Sequence, residues 1–241
     1  MLIAGFPAGS FQANCYVLAV EPGGPCVVVD PGQDALARLE PLLAEHRLRP
    51  VAALLTHGHL DHTASVGEFC RGLDVPAYIH PDDEYMLDDP LAALSPELRN
   101  ALAGAPTGNL RPDSVIALSD LLQPGLAGLP LTIDHLPGHT GGSVVIRLAG
   151  DAERPEILIT GDTLFAGSIG RTDLPGGSLA QELVSIHDRI LSRPDDAVVL
   201  PGHGPSTTVA AERGSNPFLT AGALAKARHA EGRSGLPDVR A

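Results

Sequence analysis

The sequence predicts an α/β fold in which two β-sheets are covered by helices. Three observations carry this. Short, continuously apolar runs such as CVVVD (26–30), PVAALLT (50–56) and AVVLP (197–201) read as buried strands. Longer stretches with helical periodicity follow them, separated by Gly/Pro turns. The succession of strands and then helices occurs in two halves, with no repeat strong enough to make the halves equivalent.

In chain order, CYVLAV (15–20) and CVVVD (26–30) flank the turn EPGGP and predict a hairpin. DALARLEPLLAEHRL (34–48) is helical in period, with Pro41 predicting a kink or break. PVAALLT (50–56) and AYIH (77–80) are strands, and ASVGEFCRGL between them is helix-like. Residues 81–113 are acidic and carry Pro90, Pro96, Pro106 and Pro112, predicting an excursion with a short helix near 95–103 and a lid role. LTIDHLP (131–137), VVIRLA (144–149), EILIT (156–160) and AVVLP (197–201) are the later strands. SLAQELVSIHDRILSR (178–193) is the clearest helix: Ser178 and Gln181 form a capping box, and Leu179, Leu183, Ile186 and Ile190 line one face. NPFLTAGALAKARHA (216–230) predicts a C-terminal helix with Asn216 as N-cap. Residues 1–231 are expected to form one domain and 232–241 a flexible tail.

Composition narrows the function. The formal charge is −13, from 29 acidic and 16 basic residues, and Lys226 is the only lysine. A nucleic-acid partner is disfavoured, since its binding needs Lys and Arg against phosphates. Cys15, Cys26 and Cys70 form neither a disulfide framework nor a Cys-x-x-Cys site and are expected to be packed thiols. MLIAGFPAGSF has no positive region or long apolar core, so a signal peptide is not expected. No run reaches the roughly 20 apolar residues of a membrane span. A cytoplasmic protein is expected.

The chemistry is concentrated in LLTHGHLDH (54–62), where His57, His59, Asp61 and His62 follow a buried strand. His57 and His59 at i and i+2 point to the same side of an extended backbone, with Gly58 between them. Imidazole and carboxylate are ligands for zinc, iron and manganese. Three further stretches repeat the design of a strand ending in a glycine-bearing turn: LPGHTGGS carries His139, ILITGDTLF carries Asp162 and VVLPGHGP carries His203. The set is five histidines and two aspartates, all at strand ends.

This set resembles the metallo-β-lactamase fold superfamily, whose His-x-His-x-Asp-His signature is matched by His57-Gly-His-Leu-Asp-His62 with the later His, Asp and His in order. The resemblance implies an αββα sandwich, two mixed β-sheets flanked by helices, with a dinuclear metal site at one edge. It implies that His57, His59 and His139 hold one metal, that Asp61, His62 and His203 hold the other, and that Asp162 bridges them. The expected cofactors are two divalent metal ions, zinc first, with iron or manganese as alternatives. Asp61 and Asp162 are the candidate catalytic carboxylates. Two such ions share a hydroxide whose pKa is lowered towards neutrality. Asp30 is either the support of a metal-bound histidine or a turn residue before Pro31.

FAGSIGRTDLPGG (165–177) and GHGPSTTVAAERGSNPFL (202–219) are similar to the glyoxalase II-like hydrolases of the short bacterial type. That resemblance implies hydrolysis of S-lactoylglutathione-like thioesters. Asp162 and the absent signal peptide argue against a true β-lactamase. Longer glyoxalase II enzymes grip glutathione with a basic C-terminal domain, whereas 38 residues follow His203 here. The thiol carrier is left open between glutathione and another low-molecular-weight thiol. Arg171 and Asp173 either brace their loop as an ion pair or place Arg171 against a substrate anion. The alternative in the superfamily is a persulfide dioxygenase with one iron bound by two His and one Asp. His80 is expected to be structural and His187 solvated, and Tyr85 is a candidate substrate contact. The expected partner is a small thioester, not nucleic acid or membrane, and the oligomeric state is left open.

Overall fold

The computed structural model describes residues 1–101, 110–118 and 125–232. The first sheet holds β1 (Leu2–Ala8), β2 (Ala13–Ala19), β3 (Pro25–Val29), β4 (Arg49–Leu54), β5 (Ala77–Ile79) and β6 (Val115–Ala117), hydrogen-bonded in that order. β1 pairs antiparallel with β2, and β2 with β3, the latter as the hairpin around EPGGP predicts, while β3 to β6 pair parallel. The second sheet is built from β7 (Leu131–His135), β8 (Val144–Leu148), β9 (Ile157–Gly161), β12 (Val198–Pro201) and β13 (Thr207–Thr208). Its order is β13-β12-β9-β8-β7, with only β9 and β12 parallel. A small hairpin, β10 (Leu164–Phe165) and β11 (Ser168–Ile169), stands beside them. Both large sheets are mixed, and they form the two central layers of an α/β sandwich.

The central strands are largely apolar because both faces of each sheet are covered there. On β2 and β3, Cys15, Val17, Cys26 and Val28 face an outer core with Leu39, Phe69 and Cys70. These last come from helices α1 (Leu36–His46) and α3 (Val66–Leu73), while α2 (Leu60–Thr63) is a single turn. The alternate residues Tyr16, Leu18, Val27 and Val29 meet Ile133, Val144, Ile146 and Ile159 between the sheets. A third core joins Val145, Leu158 and Val199 to Leu183, Val184 and Ile186. Each such side chain fully buried is worth about 1.5–3 kcal/mol relative to exposure. The three cysteines are all buried in the outer core, as expected of packed thiols.

Several elements differ from the sequence reading. β1 and β6 were not anticipated, since each is a strand only by virtue of its neighbour. Pro41 sits inside α1 without ending it. The helix at 96–101, α4, begins as expected, and its anticipated last residues fall outside the described set. The helix expected over 178–193 is α5 (Leu179–Ser185), capped by Ser178 through the Gln181 N–H, and continues as a π-helical turn over Ile186–Ile190. Leu179 is half exposed and does not join the buried face. The C-terminal helix does not start at Asn216. That residue ends α6 (Val209–Ser215), and α7 (Ala221–Ala230) begins from Thr220 instead. The Asn216 side chain is spent on the Ser168 carbonyl, Glu212 and the Phe218 N–H, which fixes the NPFL turn between the helices. Of the tail expected at 232–241, all but Gly232 lies outside the described residues. No described helix is long and apolar enough to cross a membrane.

Candidate metal centre

The ends of β3, β4, β9 and β12, together with the β7–β8 turn, meet at one edge of the sandwich. Thr56 just past β4 accepts from the Val144 N–H at 2.8 Å, and the Asn14 N–H donates to Gly202 at 2.7 Å, so the two sheets are tied together here. This brings all seven residues singled out in the sequence into one place: His57, His59, Asp61 and His62 after β4, His139 after β7, Asp162 after β9 and His203 after β12.

Four imidazoles have one nitrogen fixed by an acceptor. His62 Nδ1 donates to Asp30 Oδ2 at 3.0 Å. His139 Nδ1 donates to the Arg171 carbonyl at 2.7 Å, and His203 Nδ1 to the Phe11 carbonyl at 3.1 Å. The Thr56 hydroxyl donates to Asp30 Oδ2 at 2.6 Å and so accepts from His57 Nδ1 at 3.0 Å. These partners assign the tautomers: in its neutral form each ring turns an unprotonated Nε2 inward.

Two groups of donors result. The ligand atoms of His57, His59 and His139 lie within 4.8 Å of one another, as do those of Asp61, His62 and His203. In the first, His59 Nδ1 is 2.8 Å from His139 Nε2. In the second, His62 Nε2 is 3.3 Å from His203 Nε2, and Asp61 Oδ2 is 3.2 Å from His203 Nε2. Asp162 stands between the groups. Its Oδ1 is 3.2 Å from His62 Nε2, and its Oδ2 is 3.5 Å from His203 Nε2 and 3.7 Å from His139 Nε2. The approach requires glycine at 202, where a Cβ would fall 2.1 Å from Asp162 Oδ1.

The donor chemistry fits metal ions. His57 Nε2 is buried with no hydrogen-bond partner, and lone pairs facing each other across about 3 Å are unfavourable without a cation between them. Two such clusters of imidazole and carboxylate suit zinc, iron or manganese. Burial, with the neighbouring histidines, holds His57 well below the ordinary imidazole range and His59 at about 3, so both are kept neutral, the form that can ligate a metal. Burial likewise lowers His139. Burial acts to lower His62 too, but Asp162, Asp30 and Asp61 outweigh it and hold it well above the usual value. A proton there occupies the place of a cation. For Asp162, the effect of burial is outweighed by His62, His139 and His203, and its carboxyl is held below the ordinary range.

Asp30 is thus the support of His62 and not merely a turn residue, although its φ of 50° also turns the chain before Pro31. Arg171 and Asp173 form an exposed ion pair, while it is the backbone of Arg171 that serves the site. His80 stacks on His135, with ring centroids 3.9 Å apart, and accepts from the Asp82 N–H. His187 pairs with Asp188 at the surface. Two supporting acids were not found in the sequence. Glu182 on α5 is fully buried and accepts from the His139 N–H at 2.7 Å. Asp83 is fully buried beneath the loops of His57 and His139. Asp83 sits in the acidic run DDE (82–84) and Glu182 in the helical stretch QEL (181–183), and nothing local marks either out.

Residues 8–203 match the family model of the metallo-beta-lactamase superfamily. An uncharacterized protein of Mycobacterium tuberculosis is 50% identical over 221 residues, covering 91% of this chain and 98% of that protein. The probable metallo-hydrolase YqgX of Bacillus subtilis is 38% identical over 88% of this chain and 95% of its own. The hydroxyacylglutathione hydrolase GloC of Haemophilus influenzae is 33% identical over 91% of this chain and 98% of its own. Among solved structures, the BLEG-1 B3 metallo-beta-lactamase is 35% identical with a TM-score of 0.77, covering 91% of this chain and 100% of that one. TTHA1623 in a di-iron-bound form is also 35% identical, with a TM-score of 0.73 over 90% of this chain and 100% of that one.

Proposed function

This chain belongs to the metallo-beta-lactamase superfamily, and within it we propose a metal-dependent hydrolase of small thioesters, lactoyl esters of glutathione or of another low-molecular-weight thiol. The observation that carries the reading is the place of Asp162, whose two oxygens reach imidazoles of both donor groups. In this reading His57, His59 and His139 would hold one divalent ion, Asp61, His62 and His203 would hold the other, and Asp162, between the two groups, would be shared by both. When bound, such a pair supplies Lewis acidity and a water of lowered pKa. Zinc is the first candidate, and iron is supported by the di-iron relative.

The chain's own residues prepare the site. Asp30, Thr56, Arg171 and Phe11 fix four rings before anything binds, so little reorganisation is needed. Burial keeps His57, His59 and His139 neutral, the form that ligates. A thioester suits such a site because its thiolate departs without a strong general acid. The likeness to a hydroxyacylglutathione hydrolase supports the same substrate class. The net charge of −13 disfavours nucleic acid as a partner.

A second reading, opening of a β-lactam ring, is favoured by the likeness to BLEG-1. The test is a parallel assay on metal-loaded protein of a lactoyl thioester, a β-lactam and glutathione persulfide, the last with an oxygen electrode. Thioester turnover with no β-lactam opening is expected. Turnover of the β-lactam alone would establish the second reading, and rapid oxygen uptake without thioester turnover would show a persulfide dioxygenase.

A further inference from the structure

Asp83 lies in a 3-10 turn over Pro81–Leu87, directly after β5. Its side chain is fully buried, and among the described residues no Lys or Arg forms an ion pair with it. Instead its Oδ2 accepts from the Gly58 N–H at 2.9 Å and from the Thr140 hydroxyl at 2.7 Å, and its Oδ1 accepts from the Gly142 N–H at 2.8 Å. Gly58 separates His57 from His59, and Thr140 follows His139. A single carboxylate therefore joins the two loops that supply all three imidazoles of one donor group. The contacts are close enough to dictate the sequence on both loops. A Cβ at position 142 would lie 2.6 Å from Asp83 Cγ, and one at position 58 would lie 2.9 Å from the Asp83 carbonyl oxygen.

We propose that Asp83 is a positioning residue for the three-histidine metal position, setting the separation between the His57–His59 loop and the His139 turn. Three donors converge on it, and only a group that accepts on both oxygens satisfies them. Asparagine has the same shape but would aim an amide N–H at one of the donors, leaving it unpaired and pushing the loops apart. The other donor group, Asp61, His62 and His203, is oriented by Asp30 and the Phe11 carbonyl, and none of its members is a hydrogen-bond partner of the Asp83 side chain. The effect of Asp83 is therefore confined to one metal position. This also changes the meaning of the 81–113 excursion: its first turn is a fixed clamp under the metal centre, with Asp83, Met86 and Leu87 buried.

The inference rests on the assignment of His57, His59 and His139 to one ion, and not on the substrate. Cobalt(II) binding to the full-length protein tests it, by chelator competition and by the visible absorption of the bound ion. Two backgrounds isolate the positions: Asp61→Ala with His203→Ala leaves the three-histidine group, and His139→Ala leaves the other. In the first, Asp83→Asn should weaken cobalt binding about tenfold or more and shift the absorption bands. In the second, it should change affinity less than about threefold. Equal weakening in both backgrounds would show general destabilisation and overturn the proposal, as would unchanged affinity and spectrum in both. Failure of the first background to bind cobalt even with Asp83 intact would overturn the three-histidine assignment itself. If Asp83→Asn does not fold by circular dichroism, Thr140→Val removes one of the three donors and should show the same selectivity at several-fold.

Discussion

The Nδ1–H of His62 donates to Oδ2 of Asp30 at 3.0 Å, and both side chains are buried. Asp30 also accepts from the Thr56 N–H at 2.8 Å and from the Thr56 hydroxyl. The carboxylate thus orients His62 directly and His57 through Thr56. Asp30→Asn should retain the fold but weaken metal binding roughly 10–100-fold, the usual cost of losing a partner behind a ligand. Isothermal titration of zinc into the metal-free variant measures this. Unchanged affinity would reduce Asp30 to a turn residue.

Asp162 faces both donor groups, so its loss should be felt at two ions and not one. Asp162→Ala is expected to hold fewer than one metal per chain after dialysis, where the parent protein is expected to hold two. It should lose hydrolysis at least about tenfold more completely than Asp30→Ala. Elemental analysis and a thioester assay on the same preparations check this. A variant that still retained two metals would remove Asp162 from the bridging role.

The difference between these two aspartates shows what the sequence could and could not carry. The seven donor residues were legible because each follows an apolar run and sits in a glycine-bearing turn, which is a local pattern. Asp30 was half legible, since a strand-end aspartate before proline has two ordinary explanations. Asp83 and Glu182 were not legible: DDE (82–84) and QEL (181–183) look like solvated surface, and their burial depends on the loop of His139 arriving from elsewhere in the chain. β1 was missed for the same reason, because LIAGFPA becomes a strand through seven pairings with β2. Asn216 misled in the opposite direction. A good N-cap residue followed by proline looked like a helix start, but its side-chain amide donates to Glu212 one turn back in α6 and to the distant Ser168 carbonyl, and these hydrogen bonds decided otherwise.

Arg171 separates side chain from backbone. Its guanidinium pairs with Asp173 at the surface, while its carbonyl holds His139. Arg171→Ala should leave metal content at the parent level and shift the melting temperature by less than about 2 °C, since exposed pairs contribute little. Gly170→Ala should behave differently, because a Cβ there would lie 1.9 Å from the Asp162 carbonyl oxygen and 2.9 Å from His139 Nδ1. Loss of metal is expected in the second variant. A raised Michaelis constant with intact metal content in Arg171→Ala would instead place its guanidinium against the substrate.

The metal-free protein should be most stable near pH 6.5 and weaken on both sides. His57, His59 and His139 have folded pKa values lowered by burial, to about 3 for His59, from an unfolded value of 6.5. The unfolded chain binds more protons below 6.5, so the stability they contribute is complete above that pH and is lost as pH falls from 6.5 towards 3. His62 and His203 have the opposite sign. Burial would lower them, but Asp162 and Asp61 raise both, so their contribution is present below 6.5 and is lost as pH rises through their folded values. Asp162 and Asp61 add a further loss in strong acid, as pH falls from 3.8 through their depressed values. If His62 and His203 ligate a metal, its binding should displace their protons and remove the alkaline limb, leaving a plateau above neutrality. Melting temperatures from pH 5 to 9, with chelator and with excess zinc, test both halves. A metal-free profile that rises steadily to pH 9, or one with the same alkaline decline after zinc is added, would contradict the placement of His62 and His203 against the two carboxylates.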